Sequence, residues 1–197
     1  MRTLARALLV AALTLGACGK DAPPPPAKPA EPKKPVDKST WKEIETPVPV
    51  GTKLSCARLL PADKLEAALG KKVSIVDESA RDGEATAVCR LFPVDKKGKQ
   101  GDELCLLTFG CWQQWTVPDV KKKCDARGDA TSTDLGAFSC VQTVTAGPHE
   151  RHIVTVLDGD TRCRILANAG PSTYDVEATR SCARVAADLL DKDSLKP

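Results

Sequence analysis

Histidine is scarce in this 197-residue chain, with two copies, and so are methionine, with one, and the aromatics at 4% of residues. His149 and His152 are too few for a histidine-built metal centre. Three apart on a strand, they face opposite sides of it, and no third ligand is specified nearby. No Cys-x-x-Cys pair occurs, which removes a thioredoxin-like redox role and the usual zinc spacing. No Gly-x-Ser-x-Gly turn is present to strain a nucleophilic serine, and no glycine-rich loop to cradle a nucleotide's phosphates. Also missing is an apolar run of the ~20 residues that a permanent membrane helix needs. No cofactor or metal is expected.

Excess charge is lacking as well. The formal net charge is +3, but Arg2 and Arg6 belong to a leader, and residues 19–50 hold six lysines against five acidic residues. Residues 51–197 are left with 21 basic and 21 acidic side chains. A neutral domain offers no basic face for phosphate neutralisation along a backbone, so no nucleic-acid partner is expected. The concentrated patch Lys121-Lys122-Lys123 reads as a solvated turn.

Cysteine, by contrast, is plentiful at nine. Cys18 stands apart near the start. The other eight, Cys56, Cys89, Cys105, Cys111, Cys124, Cys140, Cys163 and Cys182, are even in number and fall within residues 51–197. In an exported chain that pattern reads as four disulfides, each contributing roughly 2–4 kcal/mol by restricting the unfolded state. Such bridges offset a core poor in aromatics.

The first 17 residues have the layout of an export signal: Arg2 and Arg6, the apolar stretch Ala7 to Leu15, then the small Gly16 and Ala17. Leu15-Gly16-Ala17-Cys18 resembles a bacterial lipobox, an aliphatic residue and two small ones before an obligatory cysteine. The resemblance implies diacylglycerol on the Cys18 sulfur, cleavage before Cys18, and acylation of the new amino group. Two or three acyl chains hold a protein to a bilayer stably. Gly19 rather than Asp is similar to the pattern of outer-membrane sorting in a double-membraned cell. The expected address is thus extracytoplasmic, at the cell envelope or periplasm, with the membrane as a partner through lipid.

Residues 18–50 read as the lipidated cysteine and a disordered tether. Nine of the fifteen prolines lie between Ala22 and Val50, among Lys, Ala and Glu, a composition that cannot bury enough apolar surface to fold. Extended as polyproline II, some 30 residues reach on the order of 100 Å. Trp41 near its end packs on the domain or stays exposed.

Residues 51–197 read as one α+β domain: an antiparallel sheet with a short N-terminal helix and a closing C-terminal one. Pro61 at a first helical position, Ala62 to Leu69 and the terminator Gly70 specify the first helix. Val176, Thr179, Cys182, Ala183, Ala186, Leu189 and Leu190 share a face of the last, with Ser172 and Asp175 resembling a capping box. Strands are expected over 73–76, 86–92, 104–109, 112–117, 137–145 and 152–167, separated by turns such as Asp82-Gly83 and Lys97-Gly98. Asp158-Gly159 suggests a two-residue hairpin loop, pairing Val156 with Thr161 and Val154 with Cys163. Val154, Val156, Cys163 and Ile165 then face the core, and Arg162 and Arg164 the other side. Cys163 pointing inward, toward a helix face carrying Cys182, predicts a Cys163–Cys182 bridge. Cys56 with Cys89 forms a second, and the remaining four cysteines admit three pairings.

Cys56, Leu59, Leu60, Leu69-Gly70, Leu135-Gly136 and Ala183 to Leu190 together resemble small lipoproteins of the actinobacterial type. That family's function is unknown, so the resemblance implies architecture but no chemistry. Trp112-Gln113-Gln114-Trp115 is the candidate ligand-contact segment, since flat apolar rings beside amide groups suit a sugar or peptide. On a strand, however, the two tryptophans point to opposite sides and one is core. The function expected is a binding or interaction module of the envelope, meeting a protein or a small ligand. An envelope hydrolase using carboxylates on glycan or peptide is the alternative, because paired acids leave no sequence signature. A structural envelope component is the third reading.

Overall fold

A computed structural model describes residue 48 and residues 52–79, 85–132, 134–170 and 175–195, all within one compact unit that begins at Lys38. The expected leader, Cys18, Trp41, the Asp82-Gly83 turn and Ser172 lie outside the described residues. Val48, placed in the tether by composition, is buried in the core, so the domain's packing begins before residue 51.

A single turn, α1 (Cys56–Leu59), precedes α2 (Ala62–Leu69). Pro61 stands immediately before α2, and Gly70 ends it at φ 65, a left-handed conformation that glycine adopts without a Cβ clash. Strands β1 (Val73–Asp77), β2 (Thr86–Pro93) and β3 (Cys105–Gly110) follow, then α3 (Val117–Arg127), β4 (Ala130–Ser132), β5 (Phe138–Ala146), β6 (His149–Leu157), β7 (Arg164–Ala169) and α4 (Val176–Leu189). A 3₁₀ turn, Asp193–Leu195, follows α4. Segment 112–117, expected as a strand, is a loop leading into α3. The three lysines expected in a turn lie on that helix.

The seven strands form one antiparallel sheet in the order β1-β2-β3-β7-β6-β5-β4. It is two meanders, β1 to β3 and β4 to β7, joined where β7 pairs with β3. Alternation along the strands separates two faces. Ala87, Cys89, Leu91, Leu107, Phe109, Val154, Val156, Ile165 and Ala167 make one face, fully buried with Leu59, Leu60 and Leu65 and with Ala183 and Ala186 of α4. The opposite face is covered by α3, where Trp115, Val120, Cys124, Phe138, Cys140 and Leu157 form a smaller second core.

All eight domain cysteines are bonded: Cys56–Cys89, Cys105–Cys182, Cys111–Cys163 and Cys124–Cys140. The expected Cys163–Cys182 bridge is therefore replaced. Cys163 does point into the core, but the register Gly110↔Arg164 sets it directly across from Cys111. Helix α4 delivers Cys182 to Cys105, at the far end of β3, about 20 Å away along the strand. Each meander thus carries one bridge, and the seam between them two.

The hairpin register is corrected as well. Val156 pairs with Ile165 and Val154 with Ala167, so the connection is six residues, 158–163, not two. The Asp158 carboxylate turns inward and accepts 2.6 Å hydrogen bonds from the Thr161 backbone N–H and hydroxyl, and Arg162 adopts φ 58. Because the slip is by an even number of residues, the buried set is unchanged.

Candidate functional site

Helix α3 is specified by its ends rather than by a broad apolar stripe. Thr116 and Asp119 form a reciprocal capping box, Pro118 lies in the first turn, and Gly128 closes the helix at φ 72. Val120 and Cys124, one turn apart, are its buried residues, and Cys124–Cys140 ties it to β5. Lys123 and Arg127, on the adjoining stripe, overhang the sheet at its middle.

There the central strand β7 presents Arg164, between Gly110 of β3 and Leu157 of β6. Its guanidinium carbon lies 4.3 Å from the centroid of Trp115, and the Lys123 ammonium nitrogen lies 4.4 Å from the same centroid. Both are cation–π distances. Trp115 is held in place by its burial, 2% exposed, by an edge-to-face contact with Trp112 at 5.4 Å, and by its backbone N–H donating to the Arg162 carbonyl.

Between α3 and the sheet lies a cavity of about 130 Å³, lined by Val120, Lys123, Arg127, Thr155 and Arg164, among others. Its polar groups are incompletely satisfied. Arg164 Nε is buried with no hydrogen-bond partner, and so is the hydroxyl of Thr155, a residue only 3% exposed. Among the described residues no carboxylate pairs with Arg164. Burial, and then the neighbouring positive charge of Arg127, lower its proton affinity below the usual guanidinium value. Arg127 itself is engaged, 2.6 Å from the almost fully buried carboxylate of Asp129.

A second cavity, about 290 Å³, lies where β3, β6 and β7 meet α4, and includes Arg90, Glu103, His152 and Thr179. Its Arg90 is compensated, bridging Glu78 at 2.8 Å and Glu103 at 2.6 Å. Glu103 is its single carboxylate.

The candidate contact segment is only partly at the site. Trp115 is core and organises two cations, Trp112 is 38% exposed, and none of Trp112, Gln113, Gln114 and Trp115 lines either cavity. The tryptophans do not point to opposite sides of a strand, because the loop folds their rings together. His152 Nδ1 lies 3.2 Å from the Thr143 hydroxyl, and His149 is exposed. Ligand atoms of Cys124, Asp129 and Cys140 lie within 4.8 Å of one another, but the two sulfurs are bonded to each other and cannot serve as thiolate ligands. Sequence reasoning missed Lys123, Arg127 and Thr155. Thr116-x-x-Asp119 and Gly128 were the available signals for the helix that carries the first two.

Fold and site together define a disulfide-braced, seven-stranded α+β domain with a small cationic cavity under one helix. Neither protein-family models nor curated proteins nor solved structures show a match to this chain.

Proposed function

We propose that this protein is a lipoprotein of the bacterial envelope, anchored through Cys18, whose domain is a binding module for a small ligand seated between α3 and the sheet. The observation that carries the binding part is the cavity at Arg164 and Thr155. Buried polar groups in a folded protein are almost always hydrogen-bonded, and here two adjoining ones lack partners while facing a shared space. A ligand supplies what the fold omits. Bonding of all eight domain cysteines supports an oxidising, extracytoplasmic compartment. Among the described residues no helix is long and apolar enough to cross a membrane, and attachment in this reading is by lipid. The hydrolase alternative draws no support from either cavity, because neither brings two carboxylates together.

A thermal-shift screen of neutral, cationic and anionic small molecules against the intact chain tests this reading. Ile153 of β6 also lines this cavity, and filling the space with Ile153→Trp should abolish the stabilisation given by any true ligand. A screen with no such ligand at millimolar concentration in any charge class would leave the structural-component reading in its place. Separately, Cys18→Ser should move the protein from the membrane to the soluble fraction.

A further inference from the structure

We propose that the cavity between α3 and the sheet is an oxyanion site of the phosphate class, taking either free phosphate or the phosphomonoester end of a larger molecule. This rests on the binding-module reading and names its ligand chemistry.

Charge is the first argument. Arg127 is neutralised by Asp129, 2.6 Å away, and it sits in the last turn of α3, where the helix dipole favours a cation. Lys123 and Arg164 remain, both within 4.4 Å of the Trp115 centroid; among the described residues neither makes a salt bridge, and Lys123 acts only at longer range on Asp119, one turn earlier. Arg164 meets the like charge of Arg127, a repulsion that a dianion in the cavity reverses in sign, while the shared ring sets where both Lys123 and Arg164 sit. Trp115 is thus a positioning residue that aims both cations.

Donor chemistry is the second. Lys123, Arg127, Gln142, Thr155 and Arg164 line the cavity from α3 and from three strands. Thr155 is 97% inaccessible by its 3% exposure, and its hydroxyl has no partner. Donors arriving from several directions suit a tetrahedral group with many acceptor lone pairs better than a planar carboxylate.

Size and rigidity are the third. A water needs only about 10–15 Å³ of cavity space, so about 130 Å³ has ample room for a phosphate group. The Cys124–Cys140 bond fixes the helix that roofs the cavity, so little ordering is required on binding.

The test is titration of the intact, oxidised chain in detergent at low ionic strength with inorganic phosphate, glycerol phosphate and acetate, followed by calorimetry. Phosphate should bind saturably and acetate more weakly. Glycerol phosphate binding as tightly as phosphate identifies the end group of a larger ligand, and tighter phosphate binding identifies the free ion. Arg164→Met should weaken phosphate by about 10- to 100-fold, the loss expected for a charge-assisted hydrogen bond. Lys123→Gln, on the exposed surface where folding is not at risk, should weaken it severalfold. Lys121→Gln, whose lysine instead pairs with Asp125 at 2.5 Å, should leave it unchanged. Absence of phosphate binding at 10 mM, preference for acetate, or indifference to both Arg164→Met and Lys123→Gln would overturn the proposal. If a neutral ligand binds wild type and is lost in Ile153→Trp, the module reading stands and the oxyanion assignment falls.

Discussion

Replacing Arg164 by methionine should leave the ligand-free protein as stable as before and take away most of its stabilisation by phosphate. The guanidinium sits on the central strand with a buried, unpartnered Nε. A buried polar group without a partner costs roughly 1–3 kcal/mol. Its contact with the Trp115 ring at 4.3 Å returns about 0.5–2 kcal/mol. Methionine has a similar reach, avoids the desolvation cost, and regains ~0.3–1.5 kcal/mol by laying its sulfur on the ring. These effects offset one another, so without ligand the urea-unfolding free energies of wild type and Arg164→Met should agree within about 1 kcal/mol. Ligand separates them. At tenfold excess over its Kd, phosphate adds ~1.4 kcal/mol to wild type, and the same concentration adds about 0.4 kcal/mol or less to a variant weakened about 10- to 100-fold. The reasoning fails if the ligand-free variant loses more than 2 kcal/mol, since the arginine would then be holding the fold together and not waiting for an anion.

Three further outcomes follow from the packing. The two seam bridges, Cys105–Cys182 and Cys111–Cys163, are nested, so alanine replacement of either pair opens an effective loop of about 25 residues and costs ~3.5 kcal/mol. Losing both removes a large part of a typical 5–15 kcal/mol total and should abolish a cooperative urea transition; a double variant within 3 kcal/mol of wild type would refute this. Burial holds the Asp158 carboxyl above its ordinary 3.8, against the hydrogen bonds from Thr161. The native state therefore binds that proton more tightly than the unfolded chain, and stability from this group is present below 3.8 and lost as pH rises through the raised value. Urea midpoints of Asp158→Asn should gain on wild type between pH 4 and pH 7, and a difference independent of pH would contradict the assignment. Gly170→Ala would drive a Cβ into the Glu103 carbonyl and should cost about 1–3 kcal/mol in the same assay, whereas a neutral result would mean that the backbone there yields easily.

How much of this was readable beforehand depended on whether the deciding interaction was local. Gly70, the β-branched strands and the apolar face of α4 announce themselves within a few residues, and the α+β architecture follows from them. The hairpin shows both sides of that limit. Alternation assigned Val154, Val156, Cys163 and Ile165 to the core correctly, but the register slipped because Asp158 looked like a turn residue and is instead a buried acceptor for Thr161. What sets the loop is distant: Cys111 bonded to Cys163 and the Trp115 N–H on the Arg162 carbonyl. Three consecutive lysines hid α3, although its capping box and terminal glycine were in plain view. Arg164 could be assigned to the face opposite the core by counting, but its stacking on Trp115 depends on a loop folding back across β7. No pattern in the chain marks Thr155 as lacking a partner.

The place of β7 in the sheet bears on how the molecule assembles. It is the last strand in the chain and the middle one in space, so both meanders can form while the sheet is still two pieces. Until β7 docks, β3 presents a bare hydrogen-bonding edge, the kind of template that recruits foreign strands. Joining Cys105 to Ala169 closes a long stretch of chain, and such distant pairings are slow. A polypeptide delivered to its compartment from the front end would wait with that edge open until its final third emerged, and aggregation during this interval is the hazard its biogenesis has to manage.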